Sequence, residues 1–595
     1  MSSIRAAVIT SLVAATQLAA GTPSPHRSGA SKAPASPVNY PSGVVVESCN
    51  ATVPFVDSAW WQGWGGNVLN NHWAAPNAHV DSAAAKSLAQ HCKLDYMGGV
   101  SATPTVEGDI VYYPAWNGMV YAVNYKSCQT VWKADATGIA RDFKPLSKMQ
   151  EKILYLASRT SAIIEGDVVF FGTQPWALAL AFDKHTGALL DRVQLNPHPF
   201  AVITLSPTAY QGYQFWGTSS REEAAARKFP EYDCCSFVGN MVATTFDHST
   251  NKFSLSWNVS TLPLEESGPN GWAGGAVWGS QPSIDVQRSQ VFYGTGNVYR
   301  LPPAFEQCRL ETANISVYEK GLTVSAPCLG KGVFQESVLA LDIETGYINW
   351  YNQITPIDAW TAACGLGGSI QGPNKTEIPG SHNCPYKPGP DADFGMAPTF
   401  VSGSPHTPYG KDLLVIGQKD GNMYGIDAQA GRILWATKCA PDGNLGGISF
   451  GIAVDDTRAY FVGINSDLKN YTLINGDTIN VSAYGAVNIT DGSILWQTAS
   501  PSRSFSFMVP TVVNDVAFMG YTQNGTDGYD SSAGALVPVD AATGKILEVY
   551  DLDAPFHGGI AVQGQYVMFG AGYHQYEGTG SLYVYKSPEA SNWLP

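Results

Sequence analysis

The chain has 595 residues, which is more than one ordinary compact domain holds. Its formal net charge of -15 argues against binding to nucleic acid or anionic lipid, and no run of basic residues offsets that charge. Only 14% of the residues are charged, whereas the chain contains 61 Gly, 29 Tyr and 16 Trp. This composition is typical of many short strands joined by tight turns.

The first 21 residues have the pattern of a secretory signal peptide. Arg5 precedes an apolar run over residues 6–20, and a small-residue exit follows. Residues 22–41 are rich in Pro, Ser and Ala, which predicts a disordered lead-in. Residues 42–595 are predicted to form a single domain. No other apolar stretch is long enough to span a membrane.

Glycosylation sequons and cysteines both fit a secreted, N-glycosylated eukaryotic protein. The sequons lie at Asn50, Asn258, Asn314, Asn374, Asn470, Asn480, Asn488 and Asn524. Among the ten cysteines, the predicted short-range disulfides are Cys92–Cys128, Cys308–Cys328 and Cys364–Cys384, with Cys49 and Cys439 left over. The sequence contains no Cys-X-X-Cys-His motif for covalent haem attachment.

A strand–turn–strand unit recurs along the chain. It consists of an apolar strand, an Asp or Asn, a Thr-Gly-type turn and a second strand that often ends on Trp, as in LALDIETGYINW at residues 339–350. Another strand pair precedes most copies, so each unit is predicted to contain four antiparallel strands. Seven units are clear, and an eighth is predicted around residues 557–569, with a strand from the N-terminal end to close it. The repeats predict an all-β, eight-bladed β-propeller.

The closing tryptophans and the spacing between units add two predictions. The tryptophans predicted to dock between neighbouring sheets are Trp132, Trp257, Trp350, Trp435 and Trp496. The spacing is irregular, and the longest loop insertions are predicted at residues 134–157, 299–335 and 363–393. Loops on a rigid propeller are where functional sites form.

Residues 276–300 combine a tryptophan with a glycine-rich strand end. Trp278 offers a wide apolar face, and the strand at 291–293 breaks into Gly-Thr-Gly followed by Asn297. Glycines after a strand let the backbone approach a flat or charged group. This pairing suits a planar cofactor that lies on the indole beside a metal ion. A buried tryptophan at an ordinary strand end is the alternative interpretation of this stretch alone.

From about residue 60 to the C-terminus, the sequence resembles the pyrroloquinoline quinone (PQQ) alcohol dehydrogenases, and more closely their polyvinyl-alcohol-dehydrogenase-like branch. The resemblance rests on the D-x-x-T-G-x-x-x-W repeat and on the segments GGAVWGSQPSID, FYGTGN, TPIDAW, GPDADFG and IGQKDGNMYGID, which occur in the family's order. It implies the quinoprotein propeller and, with the signal peptide, a secreted fungal dehydrogenase that oxidises an alcohol to an aldehyde or ketone.

The resemblance also implies a site for PQQ and one divalent ion, usually Ca²⁺, at the propeller axis. Glu223, preferred over Glu222, and Asn297 correspond to metal ligands, and Asp358 corresponds to the general base and to a third metal ligand. Ca²⁺ prefers oxygen ligands and would act as a Lewis acid, while a carboxylate takes the alcohol proton. A helix start for the glutamates and a turn or N-cap for Asp358 are the structural alternatives.

The resemblance also implies a protein contact for each face of the planar cofactor. Trp278 would form the floor under PQQ. The adjacent Cys234 and Cys235 would form a strained disulfide ring that covers the other face. Two separate half-cystines, or a buried thiol pair, are the alternative for these cysteines.

The three carboxylates of PQQ require cations and hydrogen-bond donors. Arg159 matches a family arginine, and Lys419 matches the basic residue near the quinone oxygens. Thr204 and Ser206 are candidates to donate hydrogen bonds to a carboxylate. Polar residues of hairpin turns are the alternative interpretation for these positions.

A PQQ-free propeller, either a binding scaffold or an enzyme that reuses the axial pocket, is the alternative function. Val238 stands where the family often carries a basic residue, and a eukaryote that secretes the protein must obtain PQQ from outside the cell. The retained acids, amide, lysine and cysteine pair favour the dehydrogenase. No cytochrome segment is fused, so the electron acceptor would be a separate partner. The alcohol would be a polymer, a sugar-like alcohol or a secondary metabolite.

Overall fold

The computed structural model describes residues 60–74, 78–266, 270–312, 332–365, 382–522, 534–573 and 578–588. The predicted signal peptide and lead-in lie outside these residues, as do Cys49 and Cys328. In the described part of the chain, no helix is both long enough and apolar enough to cross a membrane.

Eight four-stranded antiparallel sheets, called blades 1 to 8, form the predicted propeller. The outermost strand of blade 8 comes from the start of the chain and is β1 (Ala89–Met97). Blade 1 contains β2 (Thr105–Glu107), β3 (Ile110–Pro114), β4 (Met119–Asn124) and β5 (Gln129–Asp135). Blade 2 contains β6 (Ile163–Glu165), β7 (Val168–Gly172), β8 (Leu178–Asp183) and β9 (Leu189–Gln194). A separate two-stranded sheet follows in the chain and consists of β10 (Ala201–Val202) and β13 (Ser219–Ser220).

Blades 3 to 5 follow in chain order. Blade 3 contains β11 (Thr208–Tyr210), β12 (Tyr213–Gly217), β14 (Asn240–Asp247) and β15 (Lys252–Ser260), and a short pair is β16 (Ala273–Gly274) with β19 (Val298–Arg300). Blade 4 contains β17 (Ser283–Asp285), β18 (Gln290–Gly294), β20 (Ser337–Asp342) and β21 (Ile348–Gln353). Blade 5 contains β22 (Thr399–Val401), β23 (Leu413–Gly417), β24 (Asn422–Asp427) and β25 (Ile433–Lys438).

Blades 6 to 8 complete the ring. Blade 6 contains β26 (Ala453–Val454), β27 (Arg458–Gly463), β30 (Ala483–Asn488) and β31 (Ile494–Ala499), with the short pair β28 (Tyr471–Thr472) and β29 (Thr478–Ile479). Blade 7 contains β32 (Thr511–Val513), β33 (Val516–Tyr521), β34 (Gly534–Asp540) and β35 (Tyr550–Leu552). Blade 8 contains β36 (Ile560–Gln563), β37 (Tyr566–Ala571), β38 (Thr579–Lys586) and β1.

Helices lie in the loops between strands. The α-helices are α1 (Ala136–Phe143), α2 (Lys148–Ile153), α3 (Glu222–Lys228) and α4 (Glu306–Thr312). Short 3₁₀ helices span Ala84–Lys86, Pro175–Ala177, Pro303–Phe305, Ala362–Cys364, Pro408–Gly410 and Pro501–Arg503. The first predicted insertion thus carries α1 and α2, while the other two extend into residues outside the described part.

The ring closes where the first strand meets the last. β1 pairs antiparallel with β38, with Ala89 opposite Lys586 and Met97 opposite Thr579. This pairing confirms the N-terminal strand predicted for the eighth unit. Because β1 supplies the outer strand of blade 8, the edge of β38 is paired and the start of the chain is tied to its end.

Three of the predicted cysteine pairings can be followed in the structure. Cys92–Cys128 and Cys364–Cys384 are confirmed as disulfides. Cys308 is disulfide-bonded, but its predicted partner lies outside the described residues. Cys439, which the predicted pairs left over, is a buried free thiol.

The closing tryptophans dock on the next blade, as predicted. Trp132 Nε1 on blade 1 donates to the carbonyl oxygen of Lys184 on blade 2 at 2.8 Å. The equivalent hydrogen bond, from the indole Nε1 to a backbone carbonyl oxygen of the next blade, joins Trp257 to Ile343, Trp350 to Ala428, Trp435 to Ile489 and Trp496 to Ala541. The indole of Trp132 lies against the turn glycine Gly187, where an added Cβ would be only 2.6 Å from the ring. The turn therefore requires glycine for space as well as for its positive φ.

Residues 61–74, called the plug, cross the axis of the ring and bond to the innermost strands of six blades. Plug carbonyl oxygens accept backbone N–H groups from Val106, Ile284, Phe400, Val454 and Val512, and Trp61 N donates to Gln563 Oε1. Inner-strand N–H groups that would otherwise face the channel are thereby paired. The sequence pattern gave no sign of this role.

Candidate functional site

Three of the predicted site residues meet at Asp393, an acid to which the sequence analysis gave no role. One carboxylate oxygen of Asp393 accepts the backbone N–H of Asn297 at 2.6 Å. The other accepts Trp278 Nε1 at 3.1 Å and Lys419 Nζ at 2.8 Å. A single buried carboxylate thus joins the candidate metal ligand, the candidate cofactor floor and the candidate cation.

Lys419 is held by two aspartates and lies near the indole. Its ammonium group is 2.9 Å from Asp391 and 2.8 Å from Asp393, and 5.2 Å from the centre of a Trp278 ring. Burial alone would lower the pKa of Lys419, but the two aspartates raise it overall. The lysine is therefore a fixed positive charge beside the indole.

The chain delivers Lys419 to this position through an apolar strand and a tight turn. β23 is buried along its whole length and ends at Gly417. Gly421 N then donates to the Gln418 carbonyl oxygen at 2.9 Å, which closes the turn that carries the lysine. Gly421 has a φ of +84°, and a Cβ there would lie 2.0 Å from a backbone oxygen, so the turn depends on this glycine.

Glu223 faces a cavity of about 810 Å³ that Asp391 and Lys419 also line. Burial and the nearby Asp393 raise the pKa of Glu223 to about 8. Glu222, its neighbour in α3, is completely buried and is hydrogen-bonded elsewhere. The helix predicted as one alternative for this segment is present, and it turns Glu223 toward the cavity.

Asn297 has a fixed amide orientation. Its Nδ2 donates to the carbonyl oxygens of Val298 at 3.1 Å and Trp360 at 2.9 Å. Both amide hydrogens are therefore used, and Oδ1 remains the acceptor available to a cation. The segment is held further because Val298 N donates to the Asp358 carbonyl oxygen at 3.0 Å.

Asp358 lies near the cluster, although it is not among the residues that line the cavity. Its side chain is 1% exposed, and one carboxylate oxygen accepts the Ala392 N–H at 2.7 Å. Ala392 stands between Asp391 and Asp393, so Asp358 fixes the segment that carries both acids. Burial and the adjacent Asp358 raise the pKa of Glu336 well above its usual range.

Arg159 and Thr204 line a second, smaller cavity together with Trp64 of the plug and His557. Arg159 donates to the Tyr573 hydroxyl at 2.9 Å. Trp278 contacts residues of both cavities, since its rings lie 5.2 Å from Lys419 Nζ in the first and 5.8 Å from the Phe450 ring in the second.

Ser206 is placed differently from Thr204. Its hydroxyl accepts the Ser161 N–H at 2.9 Å, and its own N–H donates to the Ser280 carbonyl oxygen at 2.8 Å. It does not appear in the lining of either cavity. Its predicted contact with a cofactor carboxylate stays a prediction.

The adjacent cysteines form the predicted disulfide. Cys234 and Cys235 are bonded to each other. Cys235 belongs to an apolar cluster against which both Cys234 and Trp278 pack. The disulfide and the indole thus border one apolar cluster, while a cover over a bound cofactor stays a prediction.

The donor set at the inner end of the cavity fits a hard cation. Glu223, Asp391 and Lys419 line the cavity, and behind them Asp393 pairs with Lys419 and accepts the backbone N–H of Asn297, whose side chain offers an amide oxygen. Burial raises the pKa of Asp391 well above its usual range, with a further contribution from Asp393. A divalent cation would relieve this crowding of negative charge, and oxygen donors are the ligands that Ca²⁺ prefers.

The fold and the site define an eight-bladed propeller with a cavity lined by acidic and basic side chains, where Lys419 lies against the indole of Trp278. The family model described as outer membrane protein assembly factor BamB matches residues 334–559. The polyvinylalcohol dehydrogenase of a Pseudomonas species is 28% identical over 466 residues, 76% of this chain and 62% of that protein. The one from a Sphingopyxis species is 27% identical over 509 residues, 83% of this chain and 67% of that protein.

More distant relatives include the quinohemoprotein alcohol dehydrogenase of Comamonas testosteroni, 24% identical over 291 residues, 47% of this chain and 37% of that protein. A crystal structure of the Comamonas quinohemoprotein superposes with a TM-score of 0.60 at 16% identity, covering 90% of this chain and 82% of that one. The structure of a europium-containing methanol dehydrogenase superposes with a TM-score of 0.59 at 14% identity, covering 89% of this chain and 98% of that one. These structures share the fold. The curated relatives are oxidoreductases, and the chain spans about two thirds of the length of the two polyvinylalcohol dehydrogenases.

Proposed function

We propose that the protein is a quinoprotein dehydrogenase that oxidises an alcohol to an aldehyde or ketone with PQQ and Ca²⁺. The observation that carries the proposal is the junction at Asp393, where an indole, a lysine and a candidate metal ligand are joined by one carboxylate. The similarity to polyvinylalcohol dehydrogenases supports it. Secretion, N-glycosylation, a fungal source and a role in secondary metabolism remain predictions from the sequence.

The residues divide between holding the cofactors and moving a proton. Glu223 and Asn297 would bind the cation, and Trp278 and Lys419 would hold the planar group. When bound, PQQ would take up two electrons and a proton as hydride from the carbinol carbon, with Ca²⁺ as Lewis acid. The hydroxyl proton has to leave to a carboxylate at the same time. A separate acceptor then removes the two electrons.

Asp391 is the carboxylate that we assign as general base, in place of Asp358 suggested by the motif match. Both acids are buried, at 2% and 1% exposure, but Asp391 lines the cavity and contacts Lys419, whereas Asp358 does not line it and uses one carboxylate oxygen to hold the Ala392 N–H. A base has to reach the hydroxyl of the substrate, and Asp391 has that access. Asp358 acts as a positioning residue for the segment at 391–393.

Reconstitution and two aspartate variants test the proposal. The protein is incubated with PQQ and CaCl₂, and the reduction of a dye is followed with a panel of alcohols. We expect activity that disappears on chelation and falls at least about 100-fold in Asp391→Asn, with PQQ still bound in absorbance titrations. Asp358→Asn is expected to lose less.

Two results would contradict this assignment. A folded protein that fails to bind PQQ removes the dehydrogenase and favours the PQQ-free propeller. An inactive Asp358→Asn beside an active Asp391→Asn returns the role of base to Asp358.

A further inference from the structure

Four basic side chains line the cavity whose inner end holds Glu223, Asp391 and Lys419. They are Lys152, Arg221, Arg227 and Lys228. The lysines are exposed and the arginines half-buried, so the group forms a positive rim outside the acidic inner end. The whole chain carries a net charge of -15, so the general composition does not account for this local excess of positive charge.

None of the four rim cations takes part in an ion pair among the described residues. Lys228 Nζ instead donates to the Lys152 carbonyl oxygen at 3.0 Å, which joins α3 to α2. Lys419 in the same cavity differs, since it pairs with two aspartates. One exposed acid, Glu151, lines the cavity beside these four cations, so the rim keeps an excess of positive charge.

Arg221 offers the best defined contact of the rim. Its guanidinium group lies 4.6 Å from the centre of the Tyr155 ring, and its Nε is buried without a hydrogen-bond partner in the described structure. A guanidinium held by a ring presents a planar fork of donors that matches a carboxylate or phosphate. Arg221 also stands two residues before Glu223, which places this fork next to the inner end of the cavity.

We propose that the substrate is an alcohol that carries an anionic group, which Arg221 binds while the carbinol end reaches Asp391. Arg227, Lys228 and Lys152 add an attractive field at the entrance. The cavity volume of about 810 Å³ is enough for an alcohol that carries an anionic group at one end and the carbinol at the other. The inference rests on the proposed dehydrogenase and narrows its substrate class.

A matched pair of alcohols tests this substrate class. 4-(Hydroxymethyl)benzoate and 4-(hydroxymethyl)benzamide have nearly the same shape and differ in charge. With the PQQ- and Ca²⁺-loaded protein and a neutral quinone acceptor, we expect kcat/KM to be at least about tenfold higher for the benzoate, and the ratio to fall with added NaCl.

Arg221→Gln and the double variant Arg227→Gln/Lys228→Gln are each expected to lower this ratio at least about threefold. The second variant lies at the exposed end of α3 and covers the case in which Arg221→Gln does not fold. Lys133→Gln/Lys545→Gln, which removes two exposed charges elsewhere, is the matched control and leaves the ratio unchanged. Calorimetric titration of the same protein with each alcohol adds a binding readout in which the benzoate binds more tightly.

The outcomes separate the two claims. Equal kcat/KM and equal binding for the two alcohols overturn the anionic-substrate inference and leave the dehydrogenase standing. Failure to bind PQQ, or to oxidise any alcohol of the panel, removes the dehydrogenase, and with it this substrate class. Ferricyanide is an anionic electron acceptor. If the rim variants slow its reduction but leave the ratio of kcat/KM between the two alcohols unchanged, the inference is overturned and the rim is assigned to the electron acceptor.

Discussion

Glu222 and Glu223 are neighbours in α3, yet the first carboxylate is buried in the protein and the second lines the cavity. Glu222 is completely buried, and it accepts the Tyr232 hydroxyl at 2.7 Å and the N–H groups of Ser236 at 2.8 Å and Phe237 at 2.9 Å. Glu223 lines the cavity. The first glutamate therefore fixes the segment around the cysteine pair, and the second is left for a ligand.

The electrostatics of the two glutamates diverge in the same way. Burial works against ionisation of Glu222, but His198 and the hydrogen bonds from Tyr232 and Phe237 lower its pKa overall. Burial and Asp393 raise the pKa of Glu223 to about 8. Glu222 is thus a permanently charged structural acceptor, while Glu223 gains from a cation that offsets its charge.

Exchanging each glutamate for glutamine separates these roles. Glu222→Gln loses one acceptor and directs an NH₂ group at existing donors, so we expect a loss of roughly 3 kcal/mol in the free energy of unfolding. Glu223→Gln is expected to keep the stability and lose the increase in thermal midpoint that CaCl₂ gives the wild type. Thermal unfolding with and without CaCl₂ measures both. A calcium response that survives in Glu223→Gln would count against this ligand.

Asp393→Asn is expected to weaken cofactor binding rather than the chemistry alone. The change removes the charge that pairs with Lys419 and disturbs the contacts to Trp278 and Asn297. We expect the dissociation constant for PQQ to rise at least about tenfold in absorbance titrations with CaCl₂. Asp391→Asn is the comparison, since it should reduce turnover while binding stays within a few-fold. The same binding constant for wild type and Asp393→Asn would rule out the junction as a determinant of cofactor affinity.

The sequence predicted the ring, the closing strand and the tryptophan docking because these features repeat. A turn glycine and a tryptophan at fixed offsets carry the same contact from blade to blade, as Trp132 on Gly187 illustrates. The plug has no repeat, and its bonds use backbone carbonyl oxygens that any residue supplies. A pattern of side chains cannot reveal such bonds.

The site was predictable only in part, for a related reason. Motif matches located Trp278, Asn297 and Lys419, which the structure brings together. Asp393 joins residues that stand 26, 96 and 115 positions away, and nothing within GPDADFG distinguishes it from an ordinary loop acid. The match to Asp358 located the segment that carries Asp391 and Asp393, since its carboxylate accepts the Ala392 N–H, and its role as base stays a prediction.

His72 in the plug should make the stability of the protein depend on pH. Its ring lies between Trp61 and Trp64, and neither of its nitrogens has a hydrogen-bond partner in the described structure. Burial lowers the pKa of His72 from its usual 6.5 to about 3. The unfolded chain therefore binds a proton between these values that the folded chain does not, so this stability is present above pH 6.5 and is lost as the pH falls toward 3.

His72→Asn removes the titrating group and tolerates the left-handed backbone, where φ is 49°. We expect the thermal midpoint of the variant to fall less between pH 7 and pH 5 than that of the wild type, because each pH unit below 6.5 costs up to about 1.4 kcal/mol. The exposed His406→Asn serves as the control. Parallel pH profiles for wild type and His72→Asn would show that the buried ring does not contribute.

The disulfide Cys92–Cys128 should secure the closure of the ring. It ties β1, the last strand of blade 8, to the turn between β4 and β5 of blade 1, with a sequence separation of 36. On the chain-entropy account a crosslink of this length stabilises by about 4 kcal/mol. Cys92→Ala/Cys128→Ala is expected to lower the unfolding midpoint and to speed hydrogen exchange along β1 and β38, where the ladder depends on the N-terminal strand staying in place.

Cys364→Ala/Cys384→Ala is the matched comparison, since it removes a disulfide with a sequence separation of 20 from a loop far along the chain from β1. It should cost a similar free energy and leave exchange in β1 and β38 unchanged. If both variants accelerated exchange at β1 equally, the crosslink would act on global stability alone. If neither did, the eight paired residues between Ala89 and Met97 would hold the ring shut without covalent help. An effect confined to Cys92→Ala/Cys128→Ala would instead place the first opening of the propeller at the junction of blades 8 and 1.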